Sequence, residues 1–489
     1  MAQASTLPEL LALQARGRGD APALQFGDQT IGYAELAARA DRMAALLGNT
    51  WGVRPGERIA WLGLNHPQQL VLLFALARLG AVLLPLNIRL AVPEWQAVLA
   101  DCGAARLLHD ATFAVPAQAL GAAGGLPVHP LETLDGAGGG PPPDRAAPDV
   151  PLLLVYTSGT SGRPKGALHT QANLLANMAM AAAVQQLTPP DRVLTVLPLF
   201  HVGGLCIQTL PALGAGATVL LQPRFAPDAT FDAIERQRPT LTLQVPATMK
   251  ALVDDPRWPA ADLGSLRAVW AGSSLLPEPL VQAFHARGLP VCNVYGATET
   301  GPFSIALPPA QAVGHVGSCG WPAPGVEVRL AGLQQGVGEV WLRAPNVVQR
   351  YWPDQPATDG EGWFHTGDLA RQAGDGSYTI VGRARDLIIS GGENIHPAEL
   401  EAPLAAHPDV LECAAFGLPD ADWGEVVAMA VVLRPGAACT DAQLREHLAQ
   451  RVARYKLPRR WLRLDALPKT ALGKVQRAVL AARAGPQAG

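Results

Sequence analysis

No CxxC pair occurs among the six cysteines of this 489-residue chain, and no HxxxH or HExxH spacing is present. The ligand patterns of a zinc site are therefore missing. The scatter of Cys102, Cys206, Cys292, Cys319, Cys413 and Cys439 suits buried, reduced thiols. An excess of one charge is missing too. The formal net charge is −3, which gives no field to hold nucleic acid or an anionic membrane, so any anionic ligand has to be caught by local geometry. Long apolar runs are also scarce. Residues 70–86 carry Arg78 and Gly80 and fall short of the roughly 20 residues that a spanning helix needs. The N-terminal MAQASTLPELLALQARGRGD lacks the apolar core of a secretory signal. A cytoplasmic protein is expected, without an integral membrane segment or a nucleic-acid partner. No short repeat period marks a solenoid.

What the chain does have is length and apolar material. Hydrophobic residues make up 49%, ample for burial, and the length calls for two or more domains. Leu36, Ala40, Met43 and Leu47 recur at helical spacing. The pattern then predicts a strand at 57–65, a helix at 67–79 and a strand at 81–87, a βαβ rhythm that implies a parallel sheet covered by helices. The rhythm returns as a strand at 216–223, a helix around 231–238 and a strand at 241–247. It comes again at 266–272, 278–287 and 290–296. Residues 121–151, rich in Gly and Pro, are expected to be a loop or linker. Beyond about Gly301 short alternating strands dominate (325–332, 338–346, 376–383). The last hundred residues predict strands at 411–419 and 426–436 and a helix at 441–454 capped by Thr440. The expected fold is α/β: a large N-terminal body of βαβ-type layered sheets with a β-rich subdomain (1–384), and a small mobile C-terminal α/β lid (385–489).

The strand-like LLLVY at 152–156 runs into TSGTSGRPKG at 157–166. Three glycines let the backbone fold around an anion, Thr157, Ser158, Thr160 and Ser161 add hydroxyl donors, and Lys165 adds positive charge. The spacing is not GxxxxGK[ST], because Pro164 stands where the second glycine belongs, and SGTSG is not GxSxG. By itself such a loop is equally a plain turn.

The whole string YTSGTSGRPKG closely resembles the adenylate-forming (AMP-binding) superfamily of acyl- and aryl-CoA synthetases, luciferases and peptide-synthetase adenylation domains. LPLFHVGG (197–204), NVYGATET (293–300), WFHTGDLA (363–370), GRARDLIISGGENIHPAELE (382–401) and LPKTALGKVQR (467–477) match in the family's order and approximate spacing. The resemblance spans essentially the full chain. It implies an acid–thiol ligase: ATP and a carboxylic acid give an acyl-adenylate, whose acyl group passes to coenzyme A.

The resemblance also assigns residues. The loop Thr157, Ser158, Gly159, Thr160, Ser161, Gly162 and Lys165 would cradle the phosphates that leave as pyrophosphate. Tyr295, beside Gly296, would stack on adenine, with Gly272, Ser273 and Ser274 as the other adenine segment. Thr298 would bond the α-phosphate, and Glu299, with Thr160, would hold Mg²⁺, a cation that takes oxygen ligands. Asp368 would meet the ribose, and Arg383 the ribose or the α-phosphate. Lys474 would bridge the acyl carboxylate and α-phosphate, and His201 would gate the acid. For coenzyme A, Gly391 and Gly392 would line the pantetheine tunnel and Trp423 would stack on its adenine, with Tyr455, Lys456 and Arg459 at the nucleotide end. Arg385 takes the hinge position about which the family's small domain rotates between the two steps.

The acid is less legible. Gly203, Gly204, Leu205, Ala271, Gly272, Gly296 and Ala297 are small or apolar and predict a roomy, greasy pocket. Gly296 stands where acetate-specific relatives have Trp, and Val294 where dicarboxylate-specific ones have Arg. Fatty acids and aromatic acids remain, with a lean to a medium- or long-chain fatty acid. A ligase that loads a carrier protein is the nearest alternative, although only fifteen residues follow Lys474. A catalytically dead nucleotide-binding protein is the other. A homodimer stays open.

Overall fold

The computed structural model describes residues 4–135, 140, 142–157, 165–272, 276–390, 393–420, 423–452, 454–470 and 473–485. Contacts divide the chain into two compact units. The first is Met1–Ser273, Ala283–Val328 and Leu342–Phe364; the second is Ser274–Gln282, Arg329–Trp341 and His365–Gly489. Residue 385 lies inside the second.

Two large sheets organise the first unit. In the nine-stranded one, Arg192–Thr195, Thr218–Leu221, Leu241–Gln244, Ala268–Gly272 and Val291–Tyr295 pair in parallel. Most of these strands are short runs of buried Val, Leu and Ala, as expected of a sheet covered on both faces. The eight-stranded sheet contains the parallel Arg58–Leu62, Val82–Pro85 and Arg106–His109. The helix between the first two, Pro67–Leu79, buries every residue but Arg78. His66 caps it, accepting from the Gln68 N–H at 3.2 Å, and Gly80 ends it at φ +67°.

Asn65, just before that cap, ties the two sheets together. Its Nδ2 donates to the Leu197 and Gln222 carbonyls, both at 3.0 Å, and its Oδ1 accepts from the Leu199 N–H at 2.8 Å. A buried amide with its donors and acceptor engaged fixes one relative placement of two layers.

The helix Gln171–Gln185 follows the strand Lys165–Thr170 and is closed by a Thr170–Asn173 capping box. Among its buried Ala, Leu and Met residues stand buried amides that each reach a neighbouring segment. Asn173 donates to Pro345 O at 2.8 Å, Asn177 to Cys206 O at 2.7 Å and Gln185 to Ile207 O at 2.7 Å.

Three expectations from local pattern are corrected by the structure. Part of the 121–151 linker is ordered, because Val128–Pro130 pairs in parallel with Arg106–His109. The strand expected over 241–247 ends at Gln244, since Pro246 opens the helix Pro246–Val253. The helix expected over 441–454 stops at Ala449; Thr440 caps it as expected, accepting from the Gln443 N–H.

In the second unit a five-stranded sheet is built on the long antiparallel pair Val410–Asp420 and Gly424–Leu433. Leu400, Leu404, Met429, Val431, Leu444 and Leu448 pack in one of its cores. A four-stranded sheet includes Phe364–Gln372 paired antiparallel with Tyr378–Arg383.

Candidate active site

The phosphate-loop motif joins two antiparallel strands, Pro151–Thr157 and Lys165–Thr170, with Thr157 opposite Lys165. Both anchors are thus set by the strand ladder. Ser158, Gly159, Thr160, Ser161 and Gly162 lie outside the described residues. The Lys165 ammonium sits 5.1 Å from the ring centroid of Tyr351, within cation–π range.

The NVYGATET motif begins as the strand Val291–Tyr295 and turns into a short helical turn at Thr298–Thr300. The turn is stapled from within: Ala297 N–H donates to Thr300 Oγ1 at 2.9 Å. Buried amides hold it from outside. Asn346 donates to the Thr300 and Phe303 carbonyls, at 2.5 and 3.1 Å, and Phe303 N–H donates to Asn177 Oδ1 at 3.0 Å. Tyr295, Thr298 and Glu299 stay half-buried on this fixed backbone. The Glu299 carbonyl accepts from Val348 N–H at 2.8 Å, and its Oε1 accepts from the Tyr351 hydroxyl at 2.9 Å. Burial and the adjacent Glu299 charge push the Tyr351 hydroxyl up, so it remains a donor. A half-buried carboxylate with one oriented oxygen fits the donor chemistry of Mg²⁺, which takes one or two protein carboxylates beside phosphate oxygens and water.

Behind this turn His169 is fully buried. Burial pulls its pKa down to about 4, with the Thr298 backbone offsetting only part.

The LPLFHVGG motif leaves the nine-stranded sheet and is held by Asn65 at Leu197 and Leu199. His201 precedes the helical turn Val202–Gly204, with its ring 4.4 Å from that of Phe200. The glycines here correct the pocket argument. A Cβ at Gly296 would stand 1.8 Å from the Pro302 carbonyl oxygen, and one at Gly204 would stand 2.2 Å from that of Pro198. At Gly272 it would meet the Val294 oxygen at 2.7 Å. These positions are glycine because backbone passes close by, so their small size is no measure of pocket volume. Ser273 and Ser274 lie outside the described residues.

In the second unit Asp368 and Arg383 face each other across paired strands, with Arg383 Nε 2.9 Å from Asp368 Oδ1. Thr366 Oγ1 accepts from the Asp368 N–H at 3.0 Å, and Gly367 supplies the left-handed turn at φ +68°. Arg385, in the turn Ala384–Asp386, has its Nε 3.7 Å from Asp386 Oδ1. Lys474 is exposed on a tight turn. Its carbonyl accepts from Thr470 N–H at 2.7 Å and its N–H donates to Thr470 Oγ1 at 3.2 Å, with Gly473 at φ +78°. The Arg459 guanidinium lies 4.1 Å from the exposed Trp423 ring, a cationic and aromatic platform suited to an adenine bearing phosphates. Lys456 lies 5.6 Å from the Tyr455 ring and pairs with Glu399 at 2.8 Å. Gly391 and Gly392 lie outside the described residues.

Sequence reasoning passed over Asn65, His169, Asn177, Asn346 and Tyr351. The amides carried a signal: polar residues inside otherwise apolar helical and strand-end segments. Tyr351 carried none, because its partner Glu299 is 52 residues away.

Comparison with known proteins agrees with this arrangement. The profile described as AMP-binding enzyme matches residues 11–352, and that described as AMP-binding enzyme C-terminal domain matches 399–474. The chain is 43% identical to an indoleacetate–CoA ligase of Aromatoleum aromaticum, over 93% of each protein. It is 41% identical to a feruloyl-CoA synthase of an Amycolatopsis species, over 96% of this chain and 98% of that one. Among solved structures, o-succinylbenzoate CoA synthetase from Bacillus subtilis, in complex with its acyl-adenylate intermediate, superposes with a TM-score of 0.88 at 31% identity, covering 96% of this chain and 97% of that one. The chain belongs to the AMP-binding enzyme family.

Proposed function

We propose that this enzyme activates an aromatic carboxylic acid. The reaction is that of an ATP-dependent acid–CoA ligase. A carboxylate oxygen attacks the α-phosphorus of ATP, pyrophosphate leaves, and the thiol of coenzyme A then takes the acyl group and releases AMP. Of the two acid classes that the residues leave open, the aromatic one is favoured by a single observation: 43% identity to an indoleacetate–CoA ligase over 93% of both chains.

Joining two anions requires charge neutralisation and alignment. Lys165 and the loop after Thr157 would take the departing phosphates. Glu299 would carry the metal, with Thr298 beside it on the same turn, and a bound Mg²⁺ would neutralise phosphate charge there. Tyr295 offers a ring for adenine. Asp368 would accept from the ribose hydroxyls, with Arg383 steering it. Lys474 would meet the developing charge between carboxylate and α-phosphate, and His201 would border the acid. Trp423 with Arg459 would receive the nucleotide end of coenzyme A. The hinge is proposed at Arg385; Arg385→Pro would then slow thioester formation selectively, and equal damage to adenylation would reject it. ATP and coenzyme A are cytoplasmic metabolites, and we place the enzyme in that compartment.

The test is AMP release with a panel of acids at equal concentration. Indoleacetate, hydroxycinnamates and benzoates should exceed octanoate and palmitate at least tenfold in kcat/KM. A preference for the aliphatic acids would overturn the aromatic assignment.

A further inference from the structure

The geometry points to Tyr351 as a positioning residue that aims the Glu299 carboxylate at the metal and holds Lys165 beside it. The inference rests on the reading of Glu299 as the metal-bearing carboxylate.

Tyr351 belongs to the two-residue strand Arg350–Tyr351, which pairs with Ala167 on the strand leading out of the phosphate loop. The next residue, Trp352, donates its N–H to the Gly166 carbonyl at 2.7 Å, so the ring is bolted to that strand on both sides. From this anchor the hydroxyl donates to Glu299 Oε1 at 2.9 Å. The same stretch reaches Glu299 a second time, through Val348 N–H on its carbonyl at 2.8 Å. A carboxylate gripped at backbone and at one oxygen has lost most of its rotamer freedom. Its other oxygen, Oε2, is then the atom that would be left to meet a cation.

The face of the same ring carries the Lys165 ammonium, 5.1 Å from the centroid. One side chain therefore touches both groups assigned to neutralise the triphosphate, the lysine through its ring and the glutamate through its hydroxyl. Outer partners that orient metal ligands typically change affinity or activity by roughly 10–100-fold when removed.

The experiment titrates Mn²⁺ as a spin probe for Mg²⁺, by electron paramagnetic resonance, into the full-length enzyme with α,β-methylene ATP, which cannot be cleaved at the reacting bond. Tyr351→Phe keeps the ring and loses the hydroxyl. It should weaken Mn²⁺ binding roughly tenfold, while thioester formation from supplied acyl-adenylate, which involves no triphosphate, stays within about twofold of wild type. Tyr351→Leu, which also loses the ring under Lys165, should weaken the analogue as well as the metal. If Glu299→Gln weakens Mn²⁺ binding but Tyr351→Phe leaves it unchanged, the positioning role is overturned while the Glu299 reading stands. If Glu299→Gln itself has no effect, both fall. Equal losses in Mn²⁺ binding and in the thioester half-reaction of Tyr351→Phe would mean general damage and would also overturn the role.

Discussion

Arg383 and Asp368, two residues that the motifs assign to the same nucleotide, touch each other: Arg383 Nε lies 2.9 Å from Asp368 Oδ1 across paired strands. The aspartate side chain is 10% exposed and the arginine 36%, so the acid is enclosed and the cation half in water. An ion pair whose cation stays in contact with water contributes little to stability, on the order of 1 kcal/mol or less. We predict that Arg383→Ala and Asp368→Ala each raise the KM for ATP at least tenfold while shifting the unfolding free energy by no more than about 1 kcal/mol. A large stability loss with an unchanged KM would make the pair purely structural.

Lys474 sits on a turn whose backbone Thr470 holds at two points. Removing a cation from developing negative charge costs on the order of 3–4 kcal/mol, roughly 10²–10³-fold in rate. We predict that Lys474→Ala loses adenylation by about that factor yet keeps thioester formation from supplied acyl-adenylate. Equal loss in both half-reactions would remove the lysine from the first step.

His169 gives a stability that depends on pH. Its folded pKa, about 4, lies below the ordinary 6.5, so the unfolded chain binds the proton first as pH falls. Stability is therefore full above pH 6.5 and drops on acidification until about pH 4, by roughly 3 kcal/mol in total. We predict that His169→Leu flattens this acid limb in equilibrium denaturation. An unchanged slope between those pH values would show that another group carries it.

Asn65 makes three hydrogen bonds between the two large sheets. Asn65→Leu would strand two carbonyls and an N–H in the interior, costing roughly 3 kcal/mol. Because Leu197 and Leu199 lead into His201, we expect the KM for the acid to rise as well, measured at a temperature where the variant remains folded. An intact KM would confine Asn65 to holding the layers together.

The order of motifs, the parallel βαβ rhythm and the helix Pro67–Leu79 were legible because each rests on local pattern and chain order. Asn65 was not legible in this way. That Asn65 bridges two sheets depends on partners up to 157 residues away. Residue size misled at Gly296, since composition says nothing of where a Cβ vector points, and here it points into the Pro302 carbonyl. The strand Val128–Pro130 was hidden in a Gly- and Pro-rich stretch because its cause is the neighbouring strand Arg106–His109. Tyr351 was hidden for the same kind of reason: nothing around it in sequence reports that Glu299 lies within reach.

The most direct measurement follows oxygen. An accepted aromatic acid labelled with ¹⁸O at both carboxylate positions is converted to its thioester, and the released nucleotide is weighed by mass spectrometry. Attack of the carboxylate on the α-phosphorus predicts one ¹⁸O in AMP and none in pyrophosphate. Unlabelled AMP, or label in the phosphates that leave, would contradict an acyl-adenylate.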